Sequence, residues 1–142
     1  MVLVSVTRLR VRSWRFMPPF FIGALRSARQ ASRADGNVAA SLLREASNTF
    51  WTRTIWESEQ AMRAFMLAGV HRPLMRRLLE WCDEASVVHW EQEEAELPSW
   101  EDAHARMQRD GRRSKVNHPS HAHTAYEIPL PVVRRTGALR FR

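Results

Sequence analysis

Residues 50 to 65, Phe-Trp-Thr-Arg-Thr-Ile-Trp-Glu-Ser-Glu-Gln-Ala-Met-Arg-Ala-Phe, run from an extended segment straight into a helix with no residue to spare. The first half is rich in β-branched and aromatic side chains, which suit a pleated, half-buried surface. Ser58 is placed as a helix N-cap, and Glu59 follows at the positive end of the helix dipole. Met62, Phe65 and Met66 then recur at helical spacing and make one apolar stripe. So tight a strand-to-helix joint constrains the chain to lay a helix across a small sheet.

The other elements read outward from this joint. Residues 2 to 11 form a first strand, with Val2, Val4 and Val6 on one face. A first helix spans about 18–33, opened by Pro18 and Pro19. Val38 to Arg44 and Thr49 to Glu57 make a hairpin. The second helix starts at Ser58, is interrupted at Gly69 and Pro73, and resumes through Leu74, Leu78, Trp81 and Cys82. Residues 86 to 91 form a fourth strand. Ser99 with Asp102 gives a capping-box pattern for a third helix to about Arg109, which Gly111 ends. The order β-α-β-β-α-β-α predicts an α+β fold of ferredoxin-like type over residues 1–110. Residues 111–142 lack helical periodicity and read as an extended basic tail, suited to wrapping a partner subunit. A four-stranded sheet with helices on one face leaves Val4, Trp51, Ile55 and Trp90 on the other. These are too apolar for solvent, so a homodimer closing a barrel is expected.

The strand ending Trp56-Glu57-Ser58 and the helix Glu59-Gln60-Ala61-Met62-Arg63-Ala64-Phe65 resemble the antibiotic-biosynthesis-monooxygenase superfamily. Its members are similar in pairing a ferredoxin-like βαββαβ unit into a homodimeric α+β barrel. Gly69-Val70-His71-Arg72 and Leu78-Leu79-Glu80-Trp81 extend the likeness to small uncharacterised proteins related to spheroidene monooxygenase. The resemblance covers about residues 36 to 110. It implies a small monooxygenase-like protein, a barrel pocket for an apolar or aromatic substrate, and a His-Arg pair at positions 71 and 72. Haem is a possible cofactor on this resemblance, and no cofactor is an equal one. In the haem-degrading members, the iron-binding histidine falls on what is Met75 here and a helix tryptophan on what is Phe65, which argues against that activity. A non-catalytic ligand-binding or structural dimer of the same fold is the alternative.

The net charge of +7 raises the question of nucleic acid. Lys115 is the only lysine, and the charge is segregated: +7 over residues 1–56, −6 over 57–110 and +6 over 111–142. Ends packed against middle explain that division as well as a phosphate track does. RNA-recognition modules share the element order, but the third strand lacks their basic-Gly-aromatic run, which argues against an RNA-binding module. The longest apolar window, Met17 to Ile22, is far short of the roughly 20 residues a membrane span needs. No cleavable leader is evident, so the chain reads as cytoplasmic with no membrane partner. Cys82 is the single cysteine and reads as a small buried thiol.

Six residues are candidates for chemistry. His71 and Arg72, at the helix interruption, are the catalytic candidates: acid/base group, substrate donor or metal ligand on one reading, a kink histidine bonded to local backbone on the other. Trp51, Arg53, His89 and Trp90, on central strands, are the substrate-binding candidates, with core packing as the competing reading. His118, His121 and His123 approach metal-ligand spacing, but with no cysteine nearby they read better as a polar tail. His104 reads as a surface histidine on the third helix.

Overall fold

A computed structural model describes residues 1–69, 71–133 and 137–141. The expected strands form with small shifts: β1 (Val2–Val11), β2 (Asn37–Arg44), β3 (Thr49–Trp56) and β4 (Cys82–Gln92). They lie antiparallel in the order β4-β1-β3-β2, the ferredoxin-like arrangement. A short 3-10 turn at Trp14–Phe16 leads into α1 (Met17–Arg33), with the prolines in its opening turn. The Ser58 hydroxyl accepts from Ala61 N–H at 3.1 Å and starts α2 (Glu59–Met66).

The second helix divides, though not where Pro73 suggested. The chain leaves α2 at Leu67, and Gly69 takes a left-handed φ of 56°, which stops the helix without the penalty a Cβ brings. Pro73 then lies in the first turn of α3 (His71–Trp81), where its missing N–H costs nothing. Cys82 is a second correction. It begins β4 rather than ending a helix, and it is fully buried with its thiol pushed up to about 12, first by burial and then by Asp83. The reading as an inert buried thiol agrees with this.

Strand pairing sorts the sheet residues into two faces. Leu3, Ser5, Thr7 and Leu9 stand opposite Trp56, Thr54, Thr52 and Phe50, on the side covered by α1, α2 and α3. Val4, Val6 and Arg8 stand opposite Ile55, Arg53 and Trp51, on the other side. That second face needs no partner subunit to cover it. The capping-box helix, α4 (Trp100–Asp110), lays Ala103 and Met107 across Val4, Val6 and Trp51, and Tyr126 and Ile128 complete the cover. Its start is fixed as expected, with Ser99 Oγ accepting from Asp102 N–H at 3.0 Å.

The tail therefore belongs to the fold. Residues after 110 add β5 (Arg112–Arg113) beside β4, α5 (His121–Ala125) over one end of the sheet, and β6 (Ala138–Arg140) beside β2, for a six-stranded sheet among the described residues. Gly111 sits where α4 turns into β5. A Cβ there would lie 2.1 Å from the Tyr126 hydroxyl and 2.3 Å from the Met107 carbonyl oxygen. The Tyr126 hydroxyl donates to that same carbonyl at 2.6 Å. Gly111→Ala is expected to cost about 1–3 kcal/mol, the range for forced overpacking, read as a lowered urea midpoint with an unchanged slope.

Beneath α5 lies a buried charge network. Arg8 Nη1 donates to Glu84 Oε1 at 2.7 Å, with both side chains under a tenth exposed. Ser120 Oγ donates to Glu84 Oε2 at 2.9 Å, and Arg10 Nη1 to Asp83 Oδ2 at 2.8 Å. Burial would raise the Glu84 carboxyl, but the hydrogen bonds from Arg8 and Ser120 together with the charges of Arg8 and Arg10 outweigh it and hold the group below its ordinary value.

Candidate functional site

A cavity of about 400 Å³ lies between the sheet and the three helices α1 to α3. Its roof is apolar: Phe20, Ala24, Ala28, Leu74 and Leu78 descend from α1 and α3. Trp56, Met62 and Phe65 close one end, where the Trp56 and Phe65 rings stack at 5.2 Å. Its floor is a strip of hydroxyls, Ser5 and Thr7 on β1 and Thr52 and Thr54 on β3. The Thr54 hydroxyl accepts from the Trp56 indole N–H at 2.9 Å. An apolar vault with a few polar groups aimed from one side is the usual form of a small-molecule site.

Two histidines enter this cavity. His71 opens α3 from the interruption after α2, and its ring lies 4.5 Å from that of Phe65. Gln30 of α1 ties the joint down, its amide donating to Ala68 O at 2.8 Å and its oxygen accepting from His71 N–H at 3.3 Å. The His71 Nδ1 faces the Met66 carbonyl at 3.4 Å. A carbonyl only accepts, so the proton sits on Nδ1 and Nε2 keeps a free lone pair. Burial lowers the His71 pKa, more than the Met66 carbonyl raises it. His89 reaches the cavity from β4, two residues beyond Val87 on the same face. Burial and then the charge of Arg112 lower its pKa as well. Both rings are held neutral near pH 7 and available as bases.

The remaining candidates lie elsewhere. Arg72 is exposed and off the cavity wall. Trp51, Arg53 and Trp90 face the opposite side of the sheet. Trp51 is completely buried, donates to Glu45 Oε2 at 2.7 Å and meets the Trp100 ring edge-on at 6.5 Å. Arg53 donates to Pro98 O at 2.6 Å and Ser41 Oγ at 2.9 Å, and lies 3.7 Å over the Trp100 ring. It fastens the start of α4 to the sheet. Burial, then Arg140, lower it to about 10, which leaves it charged at neutral pH. Trp90 is covered by Arg106 at 4.8 Å and lines only a surface recess beside α4.

The tail histidines do not converge. His118 approaches Glu80, His123 Nδ1 accepts from Ala85 N–H at 3.3 Å, and His121 is exposed. Among the described residues no group of three His, Cys, Asp or Glu is placed to hold a metal ion. His104 is more than a surface residue, because its Nε2–H donates to Ile128 O at 2.6 Å and pins the tail. Sequence reading passed over the hydroxyl strip and the cavity-facing Arg112 and Lys115. The strip had a signal: Ser5, Thr7, Thr52 and Thr54 alternate with Val4, Val6, Trp51 and Ile55 at a period of two.

The strand order defines a fold class, the ferredoxin-like α+β fold, which solved antibiotic biosynthesis monooxygenases share. SnoaB, a cofactor-independent oxygenase from Streptomyces nogalater, is 20% identical, covers 66% of this chain and 94% of its own, and superposes with a TM-score of 0.54. A putative antibiotic biosynthesis monooxygenase from Nitrosomonas europaea gives 15% identity, 64% and 89% coverage and a TM-score of 0.58. Rv0793 from Mycobacterium tuberculosis gives 10%, 66% and 97%, and 0.60. The chain belongs to the family described as domain of unknown function DUF3291, whose pattern matches residues 22–116. No curated protein matches it. Among the described residues no helix is long and apolar enough to cross a membrane.

Proposed function

We propose that this protein binds an apolar or aromatic small molecule between the sheet and α1 to α3 and oxidises it with molecular oxygen, His71 acting as the base. The observation that carries the reading is the pairing of an apolar vault with a neutral imidazole whose Nδ1 proton is spoken for. Such a base takes a proton from an activated C–H or O–H of the substrate. The resulting anion reduces oxygen directly. Conversion of a CH₂ to a carbonyl with release of water consumes one O₂ with no outside reductant, so a cofactor-free route balances. Haem is the other route, and among the described residues the cavity wall offers it the imidazoles of His71 and His89 and the thioethers of Met62, Met66 and Met75 as ligands. The likeness to a cofactor-independent oxygenase supports the first route.

Oxygen uptake with a panel of polyphenols tests the reading. His71→Ala is expected to lower uptake at least about a hundredfold, the usual size of a general-base contribution, while far-ultraviolet dichroism is unchanged. Arg72→Ala, off the cavity, is expected to retain activity. The rate is expected to fall only below about pH 6.5, because burial moves the His71 pKa down from its ordinary value. A substrate that binds without oxygen uptake favours the second reading, a ligand-binding protein of the same fold. The homodimer is proposed on the superfamily resemblance alone, since the apolar sheet face that called for it is filled by α4 and the tail. The cytoplasmic placement stands on the sequence reading.

A further inference from the structure

We propose that the cavity selects a molecule with one negative charge: an apolar body under α1 and α3, and an acidic oxygen group held at the rim by Arg112 and Lys115. This rests on the cavity being the ligand site. The pairing of β5 with β4 sets Arg112 opposite Val87, a cavity-face position, and Arg113 opposite Ser86, on the other face. Strand alternation therefore turns the two neighbouring arginines to opposite sides. Arg113 is used there, donating to Thr124 O at 2.6 Å. Ser114 N–H then bonds Ala85 O at 2.9 Å and Val116 buries itself beside the cavity, which leaves Lys115 at the rim between them.

Position makes the contrast. Arg8, Arg10, Arg12, Arg63 and Arg109 each hold a carboxylate and the other described arginines lie off the cavity wall, whereas Arg112 and Lys115 are the Arg and Lys residues that line it among the described residues. Among the described residues Arg112 and Lys115 hold none, and no Asp or Glu lines the cavity. The acid whose charge bears on His89 is Glu59, already taken by Arg63 at 2.7 Å. Two unpaired cations at the mouth of a low-dielectric vault focus a positive potential into it. The charge of Arg112 already bears on His89, so an anion bound beside Arg112 would offset it and raise the His89 pKa.

Two fluorescent probes of similar ring framework separate the claims: anionic 1-anilinonaphthalene-8-sulfonate and neutral N-phenyl-1-naphthylamine. In the full-length protein, Arg112→Gln with Lys115→Gln is expected to weaken the anionic probe about tenfold and leave the neutral one unchanged. The anionic probe is expected to raise the His89 pKa, followed by ring proton resonances, and the neutral probe to leave it in place. Equal loss of both probes, or no loss of either, overturns the anionic selectivity. If neither probe moves the His71 or His89 ring resonances of the wild type, the cavity is not the ligand site and the parent reading fails with this one.

Discussion

Glu84→Ala is expected to destabilise the protein by about 3–5 kcal/mol, because it leaves the Arg8 guanidinium buried with its charge uncompensated. Arg8 is only 4% exposed, and among the described residues its Nε has no partner even in the intact network. The loss should appear as a fall in melting temperature of roughly 10 °C or more. Glu84→Gln, which keeps an oxygen acceptor, should cost less, and a loss as small as that of an exposed ion pair would show the network to be hydrated. The pair also sets an acid limit. Glu84 has a folded pKa below its unfolded one, so its contribution is present above the unfolded value near 4.3 and is lost as pH falls through the folded value.

Truncation after Asp110 is expected to abolish cooperative unfolding. It removes Val116 and Ile128, both under a tenth exposed, together with half-buried Tyr126 and the Ser120 hydroxyl on Glu84. At about 1.5–3 kcal/mol for each buried side chain, the loss is on the order of 5–10 kcal/mol, comparable with the whole stability of a small domain. Near-ultraviolet dichroism should collapse and the shortened chain should expose Val4 and Trp51 and aggregate. A truncated protein that melts sharply near the full-length temperature would mean the tail is an ornament rather than the second cover of the sheet.

The core unit was legible because its signals were local. Ser58, Ser99 and Gly111 do at the helix ends what their types suggest, and the strand from Thr49 to Trp56 lies where its β-branched run put it. The cover on the second face was not legible. The tail carries no periodicity, and what attaches it is long-range: Val132 N–H to Glu45 Oε1 at 2.7 Å, His104 to Ile128 O, and Phe141 N–H to Ala40 O. Such contacts leave no mark on neighbouring residues. The site was half legible. His89 and Trp90 are adjacent in one strand, so alternation alone forbids them one pocket, and Trp51 and Arg53 share the parity of Ile55 rather than that of Thr52 and Thr54. Aromatic character drew the substrate assignment to the core face, when the hydroxyls marked the open one.

The helix and tail that close the second sheet face also decide what dilution does to this protein. A sheet face sealed by another copy ties folding to concentration through mass action, so a scarce protein is a less stable one. Here the cover is carried on the same chain at a fixed distance, so sealing this face of the sheet is a step within one chain. A cell holding few copies therefore keeps Val4, Trp51 and Ile55 as well covered as one holding many.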